Sequence, residues 1–361
     1  MNVITWIMLG FSLLGAFDRL IGNRLGLGKE FERGFQMLGT LALAMIGMIV
    51  ISPFLADLMS PVLNWFSSVT PFDPSVITAS IFANDMGGAP LCDAVAKDPQ
   101  LGSYNGMIVG AMMGCTVSFT IPFSLSAVKK ENHRQVLLGL LCGVVTIPIG
   151  CFAGGLVAAI PMTKLLLNLL PLLIFSILVA LGLFFIPNVC VKIFSVLGVI
   201  IKGLITVGLA IGILHLLTGY SPIKNITPLM EGAEIVVHAA VVMTGAFPLI
   251  ALLSRLLKKP LEWAGKKLRI QQNSVMGFLT SLATSSPMFC KMDEMDPKGM
   301  ILNSAFAVSG AFLLTDHLAF TMTYLPEYLP AVLVSKVVAG GLALAVAFLL
   351  CKREFSSEKK E

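Results

Sequence analysis

Three short stretches of this 361-residue chain carry side chains that could hold a small cation. Residues 80–93 read SIFANDMGGAPLCD, which sets Asp85 beside Asn84 and just ahead of Gly87 and Gly88. Asp316 and His317 stand in SGAFLLTDHLAF, and Thr284, Ser285, Ser286 and Pro287 in LATSSPMF. All three interrupt apolar sequence, where a carboxylate is costly and usually faces a partner or a pathway. A carboxylate can take an ammonium, an amide or hydroxyl beside it can take a hydroxyl, and paired glycines let the backbone reverse close to a ligand. Each feature also has a plainer reading. Asp85 can cap the half-helix that follows it. Asp316 and His317 fit cation binding, a proton relay or a gating pair, or else a hydrogen bond between helices. The serines can bond a ligand or only satisfy unwound backbone. Asn105 and Asn303, early in the segments that follow, can coordinate a ligand or tie helices together.

The elements that must position these groups are membrane segments. Hydrophobic residues make up 56% of the chain and charged residues 12%, with a mean hydropathy of +0.89. An ordinary soluble domain carries about 25% charged residues, so the expected class is an all-α, polytopic integral membrane protein. Eleven apolar segments fall at about 3–23, 35–60, 74–92, 104–128, 135–160, 165–186, 193–217, 232–257, 273–290, 299–322 and 330–351, most of them long enough to cross a bilayer. The first contains Asp18 and Arg19 and lacks a basic n-region, so it is expected to stay as a helix. The third and ninth are short and broken by Gly, Pro and polar residues.

Those two segments resemble each other. A shift of 198 residues sets Cys92 on Cys290, Asp98-Pro99 on Asp296-Pro297, Asn105 on Asn303, Trp65 on Trp263 and Ser118 on Asp316. The expected organisation is a single transmembrane domain over 1–361 with duplicated arms at about 30–160 and 228–351. Loop charge then decides topology. If all eleven segments crossed, the basic loops at 24–34, 129–134 and 254–272 would be split between the two sides, against the positive-inside rule. If the third and ninth are re-entrant, all three loops share the cytoplasmic face with Lys352, Arg353, Lys359 and Lys360 of the tail. The loops at 61–73 and 323–329, which hold no Lys or Arg, then lie outside. Nine crossings result, with two hairpins entering from opposite sides, the inverted-repeat plan of secondary transporters.

Other polar residues are read more plainly. Asp18 and Arg19 form a local ion pair at the interface, and Lys202, deep in the seventh segment, either meets a carboxylate or snorkels. Glu231, Glu234 and His238 are interfacial. Phe82, Phe119, Phe289 and Phe320 are read as lipid-facing packing, with an aromatic wall for an ammonium as the alternative. The seven cysteines show no metal spacing and are read as packing residues. No hydrolase, zincin or nucleotide-binding motif occurs, so no enzyme activity, cofactor, metal or nucleic-acid partner is expected. Membrane lipid is the expected surrounding, and a homo-oligomer is left open.

Several stretches resemble a known family. DMGG (85–88), MGCTVSFTIP (113–122), GVVTIPIGCFAGGL (143–156), NSAFAVSGAF (303–312) and DHLAF (316–320) resemble the EutH family of ethanolamine permeases. So do FERGFQMLGTLALAMIGM (31–48) and KPLEWAGK (259–266). The resemblance implies import of ethanolamine across the bacterial cytoplasmic membrane. It places the family's D-M-G-G on Asp85, Met86, Gly87 and Gly88, and its D-H-L on Asp316, His317 and Leu318. Asn84 stands where the family pattern is expected to have Cys, Thr284-Ser285-Ser286 where an Asn-rich tip is expected, and the loops are shorter. Ethanolamine at neutral pH is a small cation with one hydroxyl, so the residues set for it are Asp85 and Asp316 for the ammonium, with Asn84, Ser285 and Ser286 for the hydroxyl. Gly87, Gly88, His317, Asn105 and Asn303 complete the expected site. Uniport and coupling to a proton or sodium ion are both compatible with this reading, as is a carrier or channel for another small amine or polar solute.

Overall fold

Fourteen helices follow one another in the computed structural model, which describes residues 3–357. In chain order they are α1 (Val3–Leu20), α2 (Gly28–Val69), the short pair α3 (Ser75–Ile81) and α4 (Gly88–Val95), α5 (Pro99–Ala127) and α6 (Lys130–Val157). Next come α7 (Met162–Phe185), α8 (Pro187–Thr218), α9 (Leu229–Leu268), and the second short pair α10 (Gln272–Ala283) and α11 (Ser286–Cys290). The chain closes with α12 (Pro297–Gly310), α13 (Asp316–Tyr324) and α14 (Leu329–Ser357). No strand occurs among the described residues. Eight of the helices, namely α1, α2, α5 to α9 and α14, are long and apolar enough to cross a membrane. Lys359 and Lys360 of the tail lie outside the described residues.

Both interrupted segments fold back on themselves. In the first, α3 and α4 pack together, and the Asp73 carboxylate accepts the backbone amides of Lys97 and Asp98 at 3.0 and 2.9 Å. The hairpin therefore opens and closes at one place. In the second, Asp296 accepts from the Gln271 amide at 2.8 Å and the Ser274 hydroxyl at 2.6 Å. Asparagines at the 198-residue offset brace each hairpin alike: Asn105 donates to the Ser75 hydroxyl and Asn303 to the Ser274 carbonyl, both at 2.8 Å. Asp98 is further held by Lys164 at the start of α7, 2.5 Å away. That contact keeps its carboxyl below the usual carboxylate range, so the ion pair persists until the pH falls well into the acid range.

The two mouths sit at opposite ends of α5. Pro99 begins that helix at the first hairpin's mouth, and just beyond its far end Asp293 accepts from the Lys129 amide and, at 2.7 Å, from Asn132. The basic stretches gather at this second end, and the one expected as a loop over 254–272 is helical through Leu268, with Arg255 of α9 donating to the Leu25 carbonyl at 2.6 Å. The basic-poor loop around 323–329 lies at the first, with the Tyr328 hydroxyl on the Gln100 carbonyl at 3.3 Å. This is the charge segregation that the loop composition requires.

One expected span is not continuous. Segment 299–322 breaks into α12 and α13, joined by a turn over 311–315 in which Phe312 takes a φ of +59°. The freed backbone is satisfied by the end of α10: the Phe312 and Leu314 amides donate to the Ser281 and Leu282 carbonyls at 3.0 Å, and the Thr315 hydroxyl to the Ala283 carbonyl. Unwound chain at membrane depth survives only with such internal partners. Across from it, residues 105–114 and 116–120 of α5 are wound as π-helix, a form common at functional sites.

Candidate functional site

The bend of the first hairpin is built on glycines. Gly87 has φ +81° and lies under Met48 of α2, where a Cβ would come within 2.1 Å of the methionine side chain. Gly88 turns toward the Ala83 carbonyl, whose oxygen accepts its amide at 2.9 Å. The tip then rests on a stripe of Gly106, Gly110 and Gly114 along the π-helical face of α5. A Cβ on Gly114 would stand 2.0 Å from the Phe82 carbonyl oxygen, so only glycine lets the backbones approach this closely. The stripe fixes the depth of Asp85.

Asp316 opens α13, which packs against that tip. It stands next to His317 in sequence, on the helix that faces the Asp85 bend. His317 places Nε2 3.8 Å from an Asp85 carboxylate oxygen and Nδ1 2.9 Å from the Nζ of Lys336, on α14. Lys336 also donates to the Ala111 carbonyl of the π-helix at 3.1 Å. His317 and Lys336 are each 1% exposed, whereas the Asp85 side chain keeps 16% of its surface open and Asp316 is half-buried. An ammonium has only donors, so Nδ1 must accept and the ring proton lies on Nε2, toward Asp85. Two partly exposed carboxylates are thus backed by a neutral imidazole and a buried lysine.

The remaining predicted residues divide. Asn84, next to Asp85, is fully buried with both amide atoms unpaired, and the Ser285 hydroxyl is likewise buried and unpaired. Ser286 is half-buried at the start of α11, whose helix packs against the last turns of α5. Asn105 instead spends its amide on Ser75 and on a reciprocal pair with Asn168 of α7, at 3.0 and 2.6 Å. Asn303 donates to the Ser274 and Gly299 carbonyls.

Several plainer readings change. Asp18 does not pair with Arg19; it accepts the amides of Leu25, Leu27 and Gly28 at 2.7 to 2.9 Å, closing the joint into α2, while Arg19 pairs with Glu32 at 2.6 Å. Lys202 lies on the exposed outer face of α8, and the lysine that is buried is Lys336. Phe82, Phe289 and Phe320 are buried inside the helices rather than against lipid. Phe119 is half-buried and meets Phe312 edge-on at 5.8 Å, and Phe312 in turn lies 5.3 Å from the His317 ring. Among the described residues no group of three or more His, Cys, Asp or Glu side chains is arranged to hold a metal.

The model of the ethanolamine utilisation protein EutH family matches residues 1–350. This chain belongs to the EutH family. Among EutH-like relatives, a probable ethanolamine permease of Listeria monocytogenes serotype 1/2a (strain 10403S) is 40% identical over 358 residues, covering 99% of this chain and 96% of the relative. Another of that description, from Salmonella typhimurium (strain LT2), is 35% identical over 397 aligned positions, covering 99% and 97%. That span exceeds this chain's 361 residues, so the Salmonella EutH has stretches that this one lacks. A Bacillus subtilis (strain 168) protein, the uncharacterized YxeR, is 35% identical over 359 residues, covering 99% and 97%. No solved structure matches. The EutH family and the eight candidate spans make this a multi-pass membrane protein with a transporter's role.

Proposed function

We propose that this chain imports ethanolamine, as its ammonium ion, across the cytoplasmic membrane by alternating access. The observation that carries this reading is a partly open carboxylate, Asp85, held at a re-entrant bend by backbone-tight glycine packing. In this reading Asp85, helped by Asp316, takes the ammonium. The hydroxyl goes to the unpaired Asn84 amide beside Asp85 and to Ser285 and Ser286 of the other tip. Gly87 and Gly88 shape the bend, and Asn105 and Asn303 brace the hairpins rather than contact substrate. The relatives described as probable ethanolamine permeases support the choice of substrate. The arms at about 30–160 and 228–351 act as inverted repeats, and one moves against the other to expose the site to each side in turn.

The test is uptake of labelled ethanolamine by proteoliposomes at neutral pH. Saturable entry that unlabelled ethanolamine suppresses is expected. Entry that rises linearly with concentration and matches protein-free vesicles would overturn the reading.

A further inference from the structure

We propose that the site holds a single charge vacancy for which a proton and ethanolammonium exchange, so that each substrate cation entering is matched by one proton leaving. The inference rests on the reading that the site binds ethanolammonium, and it adds the coupling.

Asp85 and Asp316 contribute two negative charges at the bend. Lys336, the only buried Lys or Arg among the described residues, contributes one positive charge. His317 contributes none, because its Nδ1 accepts from the Lys336 ammonium 2.9 Å away. The other elements packed around the bend bring no further charged side chain to it, the nearest carboxylate on them being Asp93, farther along α4 with hydroxyl partners of its own. α5 brings the Cys115 thiol, and α6 the Cys151 thiol near Lys336. α2 brings Met48, and neither α2 nor α9 buries a charged side chain. On α4, Asp93 is held by the Tyr324 and Ser103 hydroxyls at 2.9 and 3.2 Å.

The site alone therefore stands one positive charge short. A lone uncompensated charge away from water is strongly unfavourable, and two carboxylates that serve one site readily share a proton. One ethanolammonium fills the vacancy. When it leaves, a proton takes its place on the Asp85–Asp316 pair, and the neutralised carrier can return. Charge and protons balance over the cycle: one ethanolammonium moves inward, one proton moves outward, and no net charge crosses. The neutral His317 ring presents its Nε2–H toward Asp85 at 3.8 Å, which favours the ionised form of that carboxylate while the site is loaded.

The experiment is calorimetric titration of the purified full-length protein with ethanolamine hydrochloride. It is run in sodium-free medium near pH 7, in two buffers of different ionisation enthalpy. About one proton released per cation bound is expected. In Asp316→Asn the release disappears, and binding weakens at least about ten-fold because the vacancy is gone. Binding without proton release in the unaltered protein, or binding that requires sodium, overturns the exchange while leaving ethanolamine as the ligand. No binding heat in any buffer overturns the substrate reading and the exchange together. In proteoliposomes the same exchange predicts uptake insensitive to an inside-negative potential, and potential-driven accumulation would contradict it.

Discussion

Asp85→Asn is expected to raise the concentration needed for half-maximal ethanolamine uptake by about 10- to 100-fold. The amide keeps the size of the carboxylate, so Gly87, Met48 and the glycine stripe of α5 still hold the bend at its depth. What is lost is a charge-assisted contact to the ammonium, worth about 1.5–3 kcal/mol. Folding should survive, because the amide oxygen can still accept the Met86 backbone amide that the carboxylate accepts, and the neutral His317 ring is 3.8 Å away. A variant that elutes and melts like the parent but transports poorly is the expected outcome. Unchanged uptake kinetics would remove Asp85 from the site.

Lys336→Met is expected to have the second large effect, and on two readouts. Methionine fills similar volume, but the His317 Nδ1 and the Ala111 carbonyl each lose a donor at 2.9 and 3.1 Å. Breaking a buried charged set by removing one partner costs about 3–5 kcal/mol, seen as a lower melting temperature in detergent. The site then stands two positive charges short, so one ethanolammonium no longer neutralises it. Uptake at pH 7 should fall by about ten-fold or more and recover in part as the pH is lowered, when an additional proton fills the second vacancy. A variant with the parent's stability and the parent's uptake would show that Lys336 does no more than occupy space.

Much of this arrangement was legible in the residues. Scarce charge and eleven apolar segments set the class, and the basic loops required two segments to turn back, as Asp73 and Asp296 show by fastening their ends. Asp85 stood out because a carboxylate and two glycines rarely interrupt a membrane segment without cause. The break at 311–315 was not legible, because hydropathy reports the side chains and this interruption lies in the backbone, with no proline to mark it. The SG at 309–310 and the TD at 315–316 are the only local signs of a helix ending and another beginning. Lys336 was missed because one lysine in an apolar run resembles another. Lys202 and Lys336 differ only in which way their helices face, and glycines on α6 settle that: a Cβ at Gly150 or Gly154 would stand 2.5 Å from the Ala339 side chain or 2.7 Å from the Ser335 side chain. That close approach buries the neighbouring Lys336. Asn168 escaped notice for the same reason, since its partner Asn105 lies 63 residues away in sequence.

Counterflow separates an alternating carrier that binds ethanolamine at the Asp85 bend from a simple pore. Proteoliposomes loaded with excess unlabelled ethanolamine are diluted into medium holding a trace of labelled ethanolamine. A transient overshoot of label inside the vesicles is expected, much smaller in Asp85→Asn at the same loading, because each outward-moving substrate returns the site for an inward one. Label that rises only to the outside concentration, with no overshoot at any loading, would contradict it.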